Sequence, residues 1–375
     1  MVILRASLLF FVWALTPHLF SQTNVYMNLM QAAQTRTSAH GSNLRSAISD
    51  GNDAILSGTV PIQELHRSGH KVIGGISDDP DQLHALIAAG IDGYITDRPD
   101  ILIGLLKKEI SAARRSDEKR RLENFDVEAH RGGRGLRPEN TLPSFENGLD
   151  LGVTTLEMDT GVSADNVSIV WHDEYFGSKM CRRADGEPYD GDGHFWILDK
   201  SAAEIQQQLI CDQTPFSTTQ QNDLSLSPVS VAFARKEHLT SPYSPVTIDQ
   251  VFRFVRFYAS YYRSGPGRAD RLAKQRATEG ERVRFDLETK LIPDFLPGES
   301  GKLERTNNHT AEPEAFVQAL CPAILRNHMQ ERSEVQSFDF RTLKLVEENF
   351  PFIPTYYLTS NPKLFQFQTK AGMGL

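Results

Sequence analysis

The chain's pattern predicts an α/β fold, a (β/α)8 TIM barrel, and three observations carry that expectation. From residue 124 onward short apolar runs alternate with longer helical patterns, as parallel strands joined by crossover helices do. The runs at 125–130, 153–159, 167–172, 282–288, 333–338 and 353–358 read as six strands. Residues 60–106 read helix, strand (71–76), helix (80–89), strand (91–96), helix (99–110), which supplies two more. Eight strands are therefore expected, with the apparent last two coming first, as in a circularly permuted barrel.

Taken from the N-terminus, residues 6–20 (ASLLFFVWALTPHLF) form an apolar run behind Arg5. It is shorter than the roughly 20 residues of a spanning helix, so residues 1–22 read as a secretory signal peptide. That reading places the protein in a secreted or periplasmic location, and otherwise in the cytoplasm. Residues 23–59 are rich in Ser, Thr, Asn and Gln and read as a loose linker. In segment 60–123, Ile101, Leu102, Leu105, Leu106 and Ile110 fall at three- and four-residue spacing and support its last helix. Segment 124–375 holds the six remaining strands, with helices at 142–151, 201–210, 247–263, 312–329 and 340–349. A long loop at 174–246 interrupts it, and its 211–246 part, full of Ser, Thr, Gln and Pro, is expected over the strand C-termini as a lid or rim.

Composition bounds the function. The 375 residues are 39% apolar and 23% charged, enough to bury a large core. A net charge of -8 argues against the basic footprint of a nucleic-acid binder. The basic run Lys107 to Arg121 is broken by Glu109, Asp117 and Glu118 and reads as a solvated helix end. Cys181 and Cys211 flank a Gly-, Asp- and Arg-rich loop; they are either a staple or two unrelated thiols. Cys321, in an apolar helical pattern, reads as a buried small hydrophobe. No interface pattern stands out, so the oligomeric state is open.

The chemistry concentrates within the 44 positions from His130 to Asp173, joined by Glu288 and Lys290. Alternation along a strand puts Glu157 and Asp159 on one face, where two carboxylates repel unless a hard cation holds them. Glu288, ending another strand, offers a third oxygen ligand. His130 and His172 each close a strand, the place where barrel enzymes carry their catalytic groups, and an imidazole titrates near neutral pH. Arg131 and Lys290 supply positive charge for phosphate oxygens. In Pro138-Glu139-Asn140-Thr141, Asn140 or Thr141 reads as a helix cap.

The ordered set His130-Arg131-Gly132, Pro138-Glu139-Asn140-Thr141, Glu157-x-Asp159, His172-Asp173, Glu288-Thr289-Lys290 and Ser337-Phe338-Asp339 resembles the glycerophosphodiester phosphodiesterase family across roughly 124–360. Residues 60–106, ending in Gly90-Ile91-Asp92-Gly93-Tyr94-Ile95-Thr96-Asp97-Arg98-Pro99-Asp100, resemble that family's terminal part. The resemblance implies a (β/α)8 barrel, a divalent cation (Ca²⁺ or Mg²⁺) and hydrolysis of a small glycerophosphodiester to glycerol 3-phosphate and an alcohol. It makes His130 and His172 the acid/base pair, Glu157, Asp159 and Glu288 the metal ligands, and Arg131 and Lys290 the phosphate contacts. The exported, cysteine-bearing branch is the nearest likeness, which supports both secretion and a Cys181–Cys211 disulfide. A related phospholipase D-like lyase acting on lysolipid or sphingomyelin, in peripheral contact with lipid, shares the arrangement. A non-catalytic phosphate-ester-binding module is the third reading.

Two departures stand out. The family's terminal segment follows its sixth strand, whereas here it precedes the first. The family's seventh strand usually carries a Trp, and the matching place here is Gly75 or its neighbour in Ile73-Gly74-Gly75-Ile76. Three explanations of the order compete: a permuted barrel, a tandem remnant, or a misjoined gene. The permuted barrel requires strand 71–76 beside strand 353–358 and strand 91–96 beside strand 125–130.

Overall fold

The computed structural model describes residues 25–189, 193–298, 302–360 and 362–370. The apolar run expected as a signal peptide lies outside them. Eight parallel strands form the barrel: β1 Ala47–Asp50, β2 Val72–Gly75, β3 Gly93–Thr96, β4 Asp126–Ala129, β5 Thr155–Val162, β6 Arg284–Thr289, β7 Ser333–Ser337 and β8 Thr355–Leu358. Each pairs with the next in chain order. The ring closes where Ala47 of β1 lies opposite Tyr356 of β8.

Two expectations about the strands are corrected. Strand 71–76 does not pair with strand 353–358, because β1 lies between them. The presumed linker 23–59 therefore contains a barrel strand, together with helix α1 Val25–Ala39. Conversely, the run at 167–172 is not a barrel strand. Its Ser168–Val170 part folds back antiparallel on the end of β5, Thr160 opposite Val170. Three strands thus come from the N-terminal part and five from the rest. The expected pairing of 91–96 with 125–130 is present, Tyr94 opposite Val127. Gly93 permits it, since a Cβ there would meet the Asp126 Cβ at 2.5 Å.

The helices packed outside include α2 Pro80–Ala89, α3 Pro99–Ala112, α4 Leu142–Leu151, α5 Ile248–Arg263, α6 Pro313–Arg326 and α7 Phe340–Asn349. Outward strand residues such as Leu156, Met158, Phe285, Leu287 and Val335 join Phe145, Phe252, Leu320 and Leu343 of these helices in one core. Burying such a side chain is worth roughly 1.5–3 kcal/mol each. The barrel interior is divided. Ala47, Ile73, Ile95 and Tyr356 form an apolar half, whereas β4–β7 turn Glu128, Glu157, Asp159, Asp286, Glu334 and Gln336 inward, all buried. Arg284 closes the lower end, donating to Asp126 at 2.7 Å and to Glu334 at 2.5 Å.

Helix α1 seals the seam between β8 and β1. Arg36 pairs with Glu347 of α7 at 2.7 Å, and Glu347 also accepts from Tyr357 at 2.7 Å and Thr355 at 2.8 Å. Tyr26 donates to Asp50 at 2.6 Å and stacks on Phe365.

The long loop 174–246 has structure of its own. Tyr175–Gly177 pairs with His194–Trp196, and Arg182–Arg183 with Leu209–Ile210. Phe176, Phe195, Ile205 and Leu209 enclose Cys181 and Cys211 in a second apolar cluster. Those two cysteines are joined by a disulfide, and Cys321 is buried and free. Its 211–246 part includes a helix at Pro228–Lys236, and residues 216–220 cover the turn after β4. There Gln220 donates to the Arg134 carbonyl at 2.6 Å and the Arg134 guanidinium lies 4.1 Å over the Phe216 ring.

Candidate active site

The mouth of the barrel gathers side chains from the C-terminal ends of β3, β4, β5 and β6, with β7 contributing from just below. After β4 the backbone turns sharply, with Arg131 at φ 52° and Gly132 at φ 79°. A side chain at position 132 would lie 2.4 Å from the Ser144 hydroxyl, so the turn needs glycine. It aims the Arg131 N–H at Glu157, 2.8 Å away.

Glu157, Asp159 and Glu288 each offer one oxygen, all within 4.8 Å of one another. The parallel register explains the cluster, since Glu288 lies directly opposite Asp159. Burial, then the charges of Asp159 and Glu288, push the Glu157 carboxyl well above the usual range. Burial also raises Glu288, against Lys290. Burial alone would raise Asp159 too, but Arg131, then His172, Lys290 and His130, more than offset it and hold that carboxyl low. One buried Asp159 oxygen, Oδ1, has no hydrogen-bond donor. Three converging carboxylate oxygens, in a cluster where Asp159 keeps one undonated oxygen, fit a hard divalent cation.

Each histidine is held through Nδ1 by an aspartate. His130 Nδ1 lies 2.5 Å from Asp97 and is buried; His172 Nδ1 lies 2.6 Å from Asp173 and is partly exposed. A carboxylate on Nδ1–H leaves Nε2 as the basic nitrogen of the neutral ring. Burial lowers the His130 pKa; the Asp97 hydrogen bond raises it, and the Arg131 charge lowers it again.

Lys290 contacts Glu288 at 2.9 Å and Asp159 at 3.9 Å. Burial lowers the Lys290 ammonium, but Glu288 and then Asp159 bring it above its ordinary value. Arg131 donates to Glu139 at 2.7 Å and lies within ion-pair distance of Asp159 at 3.2 Å. Thr141 is the helix cap, accepting from Ser144 N–H. Asn140 is not a cap: its amide donates to Asp159 at 2.9 Å. Asp97, Arg134, Glu139, Asn140 and Gln336 thus join the site, Arg134 donating to Asp97 at 2.8 Å and Gln336 to Glu157 at 2.9 Å. The acidic alternation of β5 could have signalled Asn140 and Gln336, since buried carboxylates need donors.

With this geometry in place, residues 130–239 match the model of the glycerophosphoryl diester phosphodiesterase family. Over that segment the chain is similar to the family. The match begins at His130 and includes Arg131, Glu157, Asp159 and His172. The segment that holds β2 and β3 lies ahead of that match in the chain. A stretch of 46 residues is 44% identical to the protein YqiK of Bacillus subtilis (strain 168), covering 12% of this chain and 19% of that one. The chain thus spans about a fifth of that curated relative. Among solved structures, one from Silicibacter pomeroyi DSS-3, provisionally named a glycerophosphoryl diester phosphodiesterase, is 22% identical with a TM-score of 0.42. That alignment covers 64% of this chain and 66% of the other. An Oleispira antarctica phosphodiesterase in complex with the product sn-glycerol-3-phosphate is 18% identical over 66% of this chain and 71% of that one, with a TM-score of 0.38.

Proposed function

We propose that this protein hydrolyses glycerophosphodiesters to glycerol 3-phosphate and an alcohol, with Ca²⁺ or Mg²⁺ held by Glu157, Asp159 and Glu288. The observation that carries the reading is the pair of carboxylate-held imidazoles, His130–Asp97 and His172–Asp173, beside one buried carboxylate triad. Bound there, a divalent cation lowers the pKa of a coordinated hydroxyl and offsets charge on phosphate oxygen.

The side chains do the rest. One imidazole removes the proton of the attacking glycerol hydroxyl through Nε2, and the other protonates the departing alcohol; proton transfer of this kind contributes about 10² to 10⁴ in rate. A cyclic phosphate forms, and the same pair, with roles exchanged, directs water to open it. Lys290 and Arg131 provide positive charge beside the phosphate oxygens, fixed by their carboxylate partners. Gln336 and Asn140 keep Glu157 and Asp159 oriented.

The test is release of glycerol 3-phosphate from glycerophosphocholine, with and without chelator. Activity indifferent both to chelator and to His130→Ala would sink the reading. Accumulation of the cyclic phosphate in place of glycerol 3-phosphate would turn it into the lyase reading. Export remains part of the proposal; the Cys181–Cys211 disulfide supports it, since such bonds persist in oxidising compartments. Among the described residues no helix is long and apolar enough to cross a membrane.

A further inference from the structure

The turn after β4 is strapped down by residues 216–221 of the long loop. Four successive carbonyls of the turn accept from this one stretch. The Gln220 amide donates to the Arg134 carbonyl at 2.6 Å and to that of Arg137 at 3.2 Å. The Ser217 and Thr219 hydroxyls donate to the Gly135 carbonyl at 3.0 and 2.7 Å, and the Gln221 N–H donates to Leu136 at 3.1 Å. Gln220 is itself locked, its Oε1 accepting from the Phe216 N–H at 2.8 Å. On the other side the turn lies hard against the connection between β3 and α3. The Gly135 N–H donates to the Asp97 carbonyl at 3.0 Å, and a Cβ at position 135 would lie 2.7 Å from that carbonyl oxygen. Phe216 is 41% exposed, yet its ring covers the Arg134 guanidinium at 4.1 Å, a cation–π contact that gives a solvent-facing aromatic a place to stay.

We infer that Arg134 is a positioning residue for the His130–Asp97 pair, and that Phe216 and Gln220 of the long loop hold it in place. Its effect on turnover rests on the phosphodiesterase reading above; its effect on His130 itself does not. The Arg134 Nε donates to Asp97 Oδ1 at 2.8 Å, the same oxygen that His130 Nδ1 meets at 2.5 Å. Another arm of the guanidinium lies 3.7 Å from Glu139. With His130 as its one donor, the Asp97 carboxylate would turn about its own side-chain bonds; a rigid planar fork anchored at two acids removes that freedom. The direction of Asp97 then sets the ring plane and tautomer of His130, hence where Nε2 points. A shift of about 1 Å far from the chemistry costs on the order of 10² in rate, so a strap that touches only the turn still reaches the imidazole.

The experiment compares the full chain, labelled with ¹⁵N at histidine, with Arg134→Gln, Phe216→Ala and Phe216→Tyr; His130→Ala identifies the His130 resonances. In chelator and mildly alkaline buffer, where no turnover is needed, the wild type should show one His130 tautomer with its proton on Nδ1. Arg134→Gln and Phe216→Ala should broaden that signal or populate the Nε2–H tautomer. With glycerophosphocholine and Ca²⁺ or Mg²⁺, their kcat should fall roughly ten- to hundredfold, with KM changed by less than about threefold. Phe216→Tyr keeps the stacked ring and should bring both readouts back to within about twofold of the wild type. A lower melting temperature with an unmoved His130 signal overturns the inference, since the strap would then only hold the turn together. A loss confined to KM overturns it too, because it would put Arg134 on the substrate. Equal losses in Phe216→Ala and Phe216→Tyr overturn the part assigned to Phe216. If the wild type releases no glycerol 3-phosphate while both variants move the His130 signal, the positioning role stands and the phosphodiesterase reading falls.

Discussion

Asp97 holds Nδ1 of His130 at 2.5 Å, and the two residues end adjacent strands, β3 and β4, that helix α3 connects. The family match begins at His130, so the group that orients this imidazole comes from the segment preceding the match. The strands ahead of the match therefore complete the site and do not merely cover a sheet edge.

Asp97→Asn tests that link. Asp97 raises the His130 pKa against burial and Arg131, so its loss lets the pKa fall further. The neutral ring then persists to lower pH, and whichever limb of the rate profile His130 controls moves to lower pH. We expect kcat to drop on the order of 10²- to 10⁴-fold, as when an imidazole loses the carboxylate that fixes its tautomer. A pH–rate profile with unmoved limbs would contradict the assignment of Asp97 as a positioning residue.

Glu347→Ala should open the seam. Glu347 is buried, accepts from Tyr357 and Thr355, and pairs with Arg36 of α1. Removing one partner of a buried pair typically costs about 3–5 kcal/mol. Urea unfolding should show a loss of that order, with proteolysis first releasing the segment that carries α1 and β1. A loss below about 1 kcal/mol would mean that the seam is held by apolar contact alone.

The physical reasons for what was and was not legible differ by residue. Glu157, Asp159 and Glu288 were legible because strand alternation and parallel register are rigid rules, and they do converge. Strand β1 was hidden because Ala47-Ile48-Ser49-Asp50 contains one large apolar residue, too little for periodicity to register. Ser168–Val170 is extended, as its alternation predicts, yet it is not a stave, since alternation carries no information on parallel or antiparallel pairing. Strand β1 takes its place among the eight. Asp97 carried no local signal, because its role depends on a neighbour strand's histidine. Asn140 looked like a cap because capping residues and amide ligands are the same residue type; only its positive φ separates them.

Glu146 sets a pH dependence away from the site. Its buried carboxylate accepts from Val229 N–H, Ser230 N–H and the Ser230 hydroxyl, yet burial pushes its pKa up to about 7. A carboxyl with a folded pKa above its unfolded value binds protons more tightly when folded. Its stabilisation is full below pH ~4.5 and is lost as pH rises through about 7, a fall of about 3 kcal/mol. Glu146→Gln should flatten that part of the stability–pH curve. A curve of unchanged slope would show that the three donors hold the ionised form.

The triad itself makes a prediction that does not depend on turnover. Burial and the charges of Asp159 and Glu288 beside it disfavour ionised Glu157, so Glu157→Gln should raise the melting temperature measured in chelator. The wild type should instead gain stability on adding Ca²⁺ or Mg²⁺, about 2.7 kcal/mol at a hundredfold excess over Kd. Glu157→Gln should lose most of that gain, along with activity, because one of three converging oxygens has become a neutral amide. Thermal unfolding of both proteins, with chelator and with each cation, separates the outcomes. If the wild type shows no cation-dependent shift, the carboxylates are neutralised by Arg131 and Lys290 alone, and the proposed chemistry loses its cation.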